Sequence, residues 1–138
     1  MRIELLPECL YDAAVRLWQD SGLIRPWNDP EADLRRAVGG GSSCVLAALG
    51  DDNGLLATAM VGHDGHRGWV YYLAVDVAQR NRGLGKQMME ACEDWVRSRG
   101  IPKIQLMVRG TNRATVGFYE HLGYAASEVV VLGRRLDD

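Results

Sequence analysis

The sequence is short of several things, and each shortage narrows what the chain can be. It has only three cysteines, Cys9, Cys44 and Cys92. They form no CxxC pair and no Cys/His cluster, so the spacing suits neither a disulfide framework nor a metal site. Small buried hydrophobes in a reducing compartment are the expectation for them. Uninterrupted apolar runs extend over only a few residues, too few for a membrane-spanning helix. Residues 1–5 lack the basic segment and apolar stretch of a signal peptide. Neither sign of charge dominates: 16 Lys+Arg face 18 Asp+Glu, a formal net charge of −2. No global basic excess exists to attract nucleic acid or an anionic membrane. These absences lead us to expect a cytoplasmic protein with neither nucleic acid nor membrane among its partners.

What remains is an ordinary globular composition, 138 residues with 47% hydrophobic and 25% charged. A chain of roughly 150 residues buries about 68–70% of its unfolded surface, so one domain spanning residues 1–138 is expected. Residues 2–6 alternate weakly and suit a strand. Leu10, Ala13, Ala14, Leu17 and Trp18 fall at helical spacing, ended by Gly22. Asp29 followed by Pro30 reads as an N-cap and first helical position of a second helix reaching Val38. Residues 44–49 and 55–63 read as strands joined by a Gly50-Asp51-Asp52-Asn53-Gly54 hairpin, because Asn-Gly tolerates positive φ. A turn at residues 64–68 leads into a strand over 69–75. Leu84, Met88, Ala91, Cys92, Trp95 and Val96 stripe a third helix, stopped by Gly100 and Pro102. A strand over 103–108, a helix over 112–122 and a closing strand over 125–132 complete the reading. The order is β-α-α-β-β-β-α-β-α-β, an α/β fold with a mixed sheet and helices on both faces. The apolar closing strand fits a core position or pairing across a homodimer equally well.

The segment richest in chemistry is residues 75–86, where a strand ends, a basic loop follows and a helix opens at Gly83 and Gly85. The first N–H groups of a helix lack intrahelical partners and sit at its positive dipole end. Arg80, Arg82 and Lys86 add charge, and no acid stands between Arg80 and Met89. Together these make a phosphate cradle, the competing explanation of the loop alone being glycines that relieve sterics at the turn with solvated arginines. A Walker loop needs Gly where Arg80 stands and Ser/Thr where Gln87 stands, and a dinucleotide fingerprint needs a third Gly at Met88. Neither applies.

Arg80-x-x-Gly83-x-Gly85, following Tyr72-Leu73-Ala74-Val75, resembles the acyl-CoA-binding motif of the GNAT (GCN5-related N-acetyltransferase) superfamily. Asn112-x-Ala114-x-x-x-Phe118-Tyr119-Glu120-x-Leu122-Gly123-Tyr124 resembles the family's second signature. Residues 25–30, with 64–68, look like the small bacterial YpeA-like acetyltransferases.

The resemblance implies a GNAT-like, mostly antiparallel sheet of six to seven strands. It also implies acetyl-CoA as cosubstrate, no metal, and a primary amine as acceptor. In the family the pyrophosphate rests on the loop amides, here Arg80, Asn81, Arg82, Gly83, Leu84, Gly85 and Lys86. The pantetheine arm runs beside the fourth strand near Leu73 and Val75, where a backbone N–H polarises the thioester. Tyr119 is then the general acid for the leaving thiolate, a Tyr hydroxyl of pKa ~10 facing a thiol of pKa ~8.5. Asn112 is expected to cap its helix and to contact the cofactor.

The base is less direct, because some relatives carry Glu where Trp69 stands; Asp64 and His66 are the candidates. Under the two-residue period of a strand, Tyr71 shares the face of Leu73 and lines the acceptor pocket. Trp27, Asn28 and Asp29 flank the acceptor side in this fold, with capping by Asp29 and stapling by Trp27 as the competing explanation. The leading function is direct acetyl transfer to a small amine or amino-acid-like metabolite. A protein N-terminus or lysine is the alternative acceptor, and a non-catalytic acyl-CoA-binding module is the alternative of another class.

Overall fold

The computed structural model describes residues 1–137 as two compact units, Met1–Met107 and the stretch from Val108 onward. In the first unit the chain runs β1 (Arg2–Leu5), α1 (Tyr11–Asp20), α2 (Pro30–Gly39), β2 (Ser43–Leu49), β3 (Leu55–His63), β4 (Gly68–Val75), α3 (Leu84–Ser98) and β5 (Ile104–Leu106). The second unit carries α4 (Arg113–His121).

Local chemistry sets most of these boundaries. Asp29 begins α2 by accepting the Ala32 N–H at 3.1 Å, with Pro30 in the first turn where its missing N–H costs nothing. In the β2–β3 hairpin Asn53 takes the left-handed conformation at φ 64°. There Asp52 accepts the Gly54 N–H at 2.9 Å, and the backbone closes between Gly50 and Gly54. After α3, Gly100 turns left-handed at φ 76° and ends the helix.

The five strands form one sheet in the order β1-β2-β3-β4-β5, antiparallel through β4 and parallel between β4 and β5. Side chains alternate across a strand, and β2 is buried on both faces. Val45, Ala47 and Leu49 join Ala14, Trp18, Leu34 and Ala37 of α1 and α2 in one core. Cys44, Leu46 and Ala48 point the other way, toward the side covered by α3 with its buried Met88, Met89, Cys92 and Val96. The mixed sheet between helices is thus the expected α/β fold. At the start of β4, Gly68 lies so close to Val96 that an added Cβ would stand 2.6 Å from Val96 Cγ2. Only glycine lets strand and helix meet there.

Three expectations fail. The sheet has five strands rather than six to seven, and β5 spans three residues rather than 103–108. Residues 125–132 form no strand, and Val129, Val130, Val131 and Leu132 are all exposed, Leu132 at 91%. The core-strand reading of that segment falls with them. Apolar, β-branched residues make a segment able to pair, but a strand exists only where an edge takes up its backbone N–H and C=O groups. Among the described residues, no helix is long and apolar enough to cross a membrane.

Candidate active site

Strand β4 and the loop that follows it organise the site. Thr58 of β3 pairs with Ala74, yet Met60 pairs with Tyr71. One residue on β3, Ala59, therefore faces two on β4, Tyr72 and Leu73, which is a β-bulge. Tyr72 takes the left-handed conformation at φ 53°. For a bulky residue this is an outlier, costing about 1–3 kcal/mol unless its surroundings hold it.

They do hold it. The Tyr72 ring stacks on the fully buried Trp18, with centroids 4.1 Å apart and planes 16° from parallel. Its hydroxyl donates to Asp33 Oδ2 at 2.7 Å, and the other oxygen of Asp33 accepts from Arg36 at 2.6 Å. The Tyr72 carbonyl accepts from the buried Thr58 hydroxyl at 3.1 Å, while Thr58 Oγ1 accepts from Trp18 Nε1 at 2.8 Å. Burial first, and then the bond to Asp33, push the Tyr72 hydroxyl well above the usual tyrosine range, so it remains a donor.

The bulge corrects one expectation. Because Thr58 and Met60 share a face of β3, their partners Ala74 and Tyr71 share a face of β4. Tyr71 does not share the face of Leu73, since one inserted residue reverses the alternation. Tyr71 is exposed, and burial of its hydroxyl followed by the charge of Asp64 raises its pKa.

Beyond β4 the loop stays open. Leu73 and Val75 are half-buried, and the Val75 carbonyl accepts from Arg80 Nε at 3.2 Å, which turns the chain toward α3. Asp76 supports that turn by accepting the Ala78 N–H at 3.0 Å. Asn81 and Gly83 are left-handed at φ 65° and 77°. Gly83 precedes α3 without a side-chain cap, and no acid occupies the first turn. A Cβ at Gly83 would meet nothing within 4 Å, so glycine is there for its φ and not to relieve crowding. Arg80, Asn81, Arg82 and Lys86 are exposed, Leu84 is buried beneath the loop and Gly85 is half-buried. Uncapped amides, an absent acid and exposed cations suit a phosphate-bearing ligand.

The other candidates lie elsewhere. Asp64 and His66 occupy the turn before β4, at the opposite end of the strand from residues 80–86. Asp64 Oδ1 accepts the N–H groups of His66 and Arg67 at 2.9 and 2.7 Å, and Oδ2 accepts from Trp69 Nε1 at 3.4 Å. The Arg67 and His66 amides hold its carboxyl below the usual range, a poor starting point for a base. Asp29 spends an oxygen on its cap, Asn28 is half-buried and Trp27 is exposed. In the second unit Asn112 caps α4 by accepting the Thr115 N–H at 3.3 Å. Tyr119 meets Phe118 and Tyr124 edge-on, at 5.0 and 5.8 Å between centroids.

Burial pushes the Cys44 and Cys92 thiols up to about 11 and about 12, which keeps both protonated and non-nucleophilic at neutral pH. Among the described residues, no group of three His, Cys, Asp or Glu side chains is placed to hold a metal ion. The structure also brings in Tyr72, Thr58 and Asp33, which sequence reasoning passed over. A polar Thr58 inside the apolar run 55–61 was the one available signal.

Known proteins match this chain along nearly its whole length. The acetyltransferase (GNAT) family model matches residues 9–124. An acetyltransferase of Pectobacterium atrosepticum is 39% identical over 137 residues, 99% of this chain and 96% of the relative. An acetyltransferase of Yersinia pestis is 37% identical with the same coverage. Among solved structures, an aminoglycoside antibiotic 6'-N-acetyltransferase of Acinetobacter haemolyticus matches with a TM-score of 0.79 at 18% identity, covering 100% of both chains. AAC(6')-Iy, solved with the bisubstrate analogue CoA-S-monomethyl-acetylneamine, matches with a TM-score of 0.81 at 17% identity over 97% of both chains. At these identities the solved structures share the fold.

Proposed function

Since the chain belongs to the GNAT acetyltransferase family, we propose that it moves the acetyl group of acetyl-CoA onto a primary amine by direct attack in a ternary complex. The observation that carries this reading is the sequence of features along one stretch of backbone. A bulge in β4 is followed directly by a cationic, acid-free loop that opens α3 at a left-handed glycine. The loop amides and Arg80, Arg82 and Lys86 receive the pyrophosphate. The β4 backbone around Leu73 and Val75 receives the pantetheine arm and polarises the thioester carbonyl.

The neutral amine attacks the thioester carbon, the C–N bond forms, and the tetrahedral intermediate collapses with cleavage of the C–S bond. Tyr119 gives its hydroxyl proton to the departing thiolate, and the proton lost by the amine passes to solvent water. With Cys44 and Cys92 buried and protonated, an acyl-enzyme at either is disfavoured. The acceptor in this reading is a small amine or amino-acid-like metabolite. Neighbours that act on aminoglycosides support an amine acceptor of modest size.

Thermal shift with acetyl-CoA, followed by thiol release against an amine panel, tests the proposal. Saturating acetyl-CoA raises Tm by ligand linkage. Tyr119→Phe lowers kcat roughly a hundredfold while the acetyl-CoA shift persists; unchanged turnover would remove Tyr119 as the acid. Including a lysine peptide and a free peptide N-terminus in the panel detects a protein acceptor. Binding without turnover on any amine would leave a non-catalytic acyl-CoA module.

A further inference from the structure

We propose that Tyr72, Thr58, Trp18 and Asp33 form a clasp whose task is to hold the β4 bulge in the geometry acyl transfer requires, which makes them positioning residues for the reaction. The inference rests on the acyltransfer reading above and deepens it. Its foundation is that a left-handed aromatic residue inside a strand does not persist by itself. Tyr72 is restrained at three separate points: ring, hydroxyl and carbonyl. Each restraint comes from a different element, α1 through Trp18, α2 through Asp33 and β3 through Thr58. A strand that needed only to pair would drop the extra residue, and Ala59 would then face a single partner.

The position gives the clasp its function. Tyr72 immediately precedes Leu73, so the φ and ψ of Tyr72 set the direction of the Leu73 N–H, one of the β4 backbone donors proposed above for the thioester carbonyl. A donor aimed at the developing oxyanion loses its effect with small displacements, because its value lies in being placed before the reaction begins. Thr58 fixes the carbonyl side of that same peptide unit. Its hydroxyl donates to Tyr72 O and its lone pair is saturated by the Trp18 indole N–H. Asp33 adds a link to α2, whose capping residue Asp29 closes the 25–30 loop. Through Asp33, itself steadied by Arg36, the strand that carries the proposed oxyanion donor is joined to the helix that the 25–30 loop leads into.

The decisive comparison is between Tyr72→Phe, Thr58→Val and Thr58→Ser, with Val45→Ala as a core-packing control. We expect Tyr72→Phe and Thr58→Val to lower kcat at 25 °C roughly tenfold or more, while the Kd for coenzyme A stays within about twofold. Thr58→Ser restores the hydroxyl and most of the rate. Val45→Ala lowers Tm and leaves kcat intact, separating loss of fold from loss of aim. If the two clasp variants lose Tm but keep the full kcat, the clasp is merely structural and the proposal falls. Should Thr58→Val fail to fold, Tyr72→Phe decides alone, since it deletes one hydroxyl and keeps the stacked ring. A wild-type chain with no turnover on any amine overturns the transferase reading itself. An active wild type with equally active variants overturns the clasp alone.

Discussion

Tyr72 and Gly83 both put the backbone in the left-handed region, at φ 53° and 77°, and they are held there in opposite ways. At Gly83 nothing stands within 4 Å of where a side chain would begin, and the conformation costs a glycine almost nothing. At Tyr72 a large residue occupies a costly conformation and is gripped by Trp18, Thr58 and Asp33. Under the proposed function the difference follows from what each stretch would do. A backbone that a ligand approaches has to be bare, so its conformation must be intrinsically permitted. A backbone that aims a donor has to be rigid, so its conformation is imposed by side chains packed behind it.

Removing the grip should have the largest effect. Trp18→Ala deletes the stacked ring and the N–H bonded to Thr58, and denaturant unfolding should show a loss of about 3–5 kcal/mol. A loss below about 1 kcal/mol would mean that the bulge holds itself. Gly83→Val attacks the opposite strategy, since a β-branched residue resists positive φ. It should weaken acetyl-CoA binding about tenfold or more through displaced amides, at a stability cost near 1 kcal/mol. Calorimetric affinity equal to wild type would show that the loop tolerates a side chain after all.

The smallest effect concerns protonation. Because the folded pKa of Tyr72 is raised, its stabilisation is complete below the ordinary tyrosine pKa of about 10 and is lost as pH rises through the folded value. Ultraviolet titration of the five tyrosines should therefore find Tyr72 among the last to ionise. In Tyr72→Phe that late step disappears. A late step that survives the substitution would belong to another tyrosine.

The same contrast explains what the sequence allowed to be read. The Asp29 cap, the Asn53 turn and the Gly83 opening depend on residues within three or four positions, so composition and spacing announced them. The bulge depends on how β3 and β4 are registered, and nothing within residues 68–75 favours a left-handed tyrosine. Alternation alone thus put Tyr71 on the wrong face. The apolar run at 129–132 was misread for a related reason, because pairing belongs to two segments and an apolar run specifies only one of them. Of the candidate site, the exposed cations of the 80–86 loop and the opening of α3 at Gly83 were legible. Trp18 was read as part of a helical stripe, without any hint that its N–H would reach Thr58, forty positions along the chain.

The contact between Gly68 and Val96 bears on selection by length. It pins the end of α3 to the start of β4, and the loop after β4 ties the other end of the helix to the strand's finish. Helix and strand cannot slide past one another, so the span from the bulge at Tyr72 to the first amides of α3 is a fixed gauge. Under the proposed function, a cofactor that touches both ends would be measured against that gauge, and one with a shortened arm would reach the amides or the bulge, but not both.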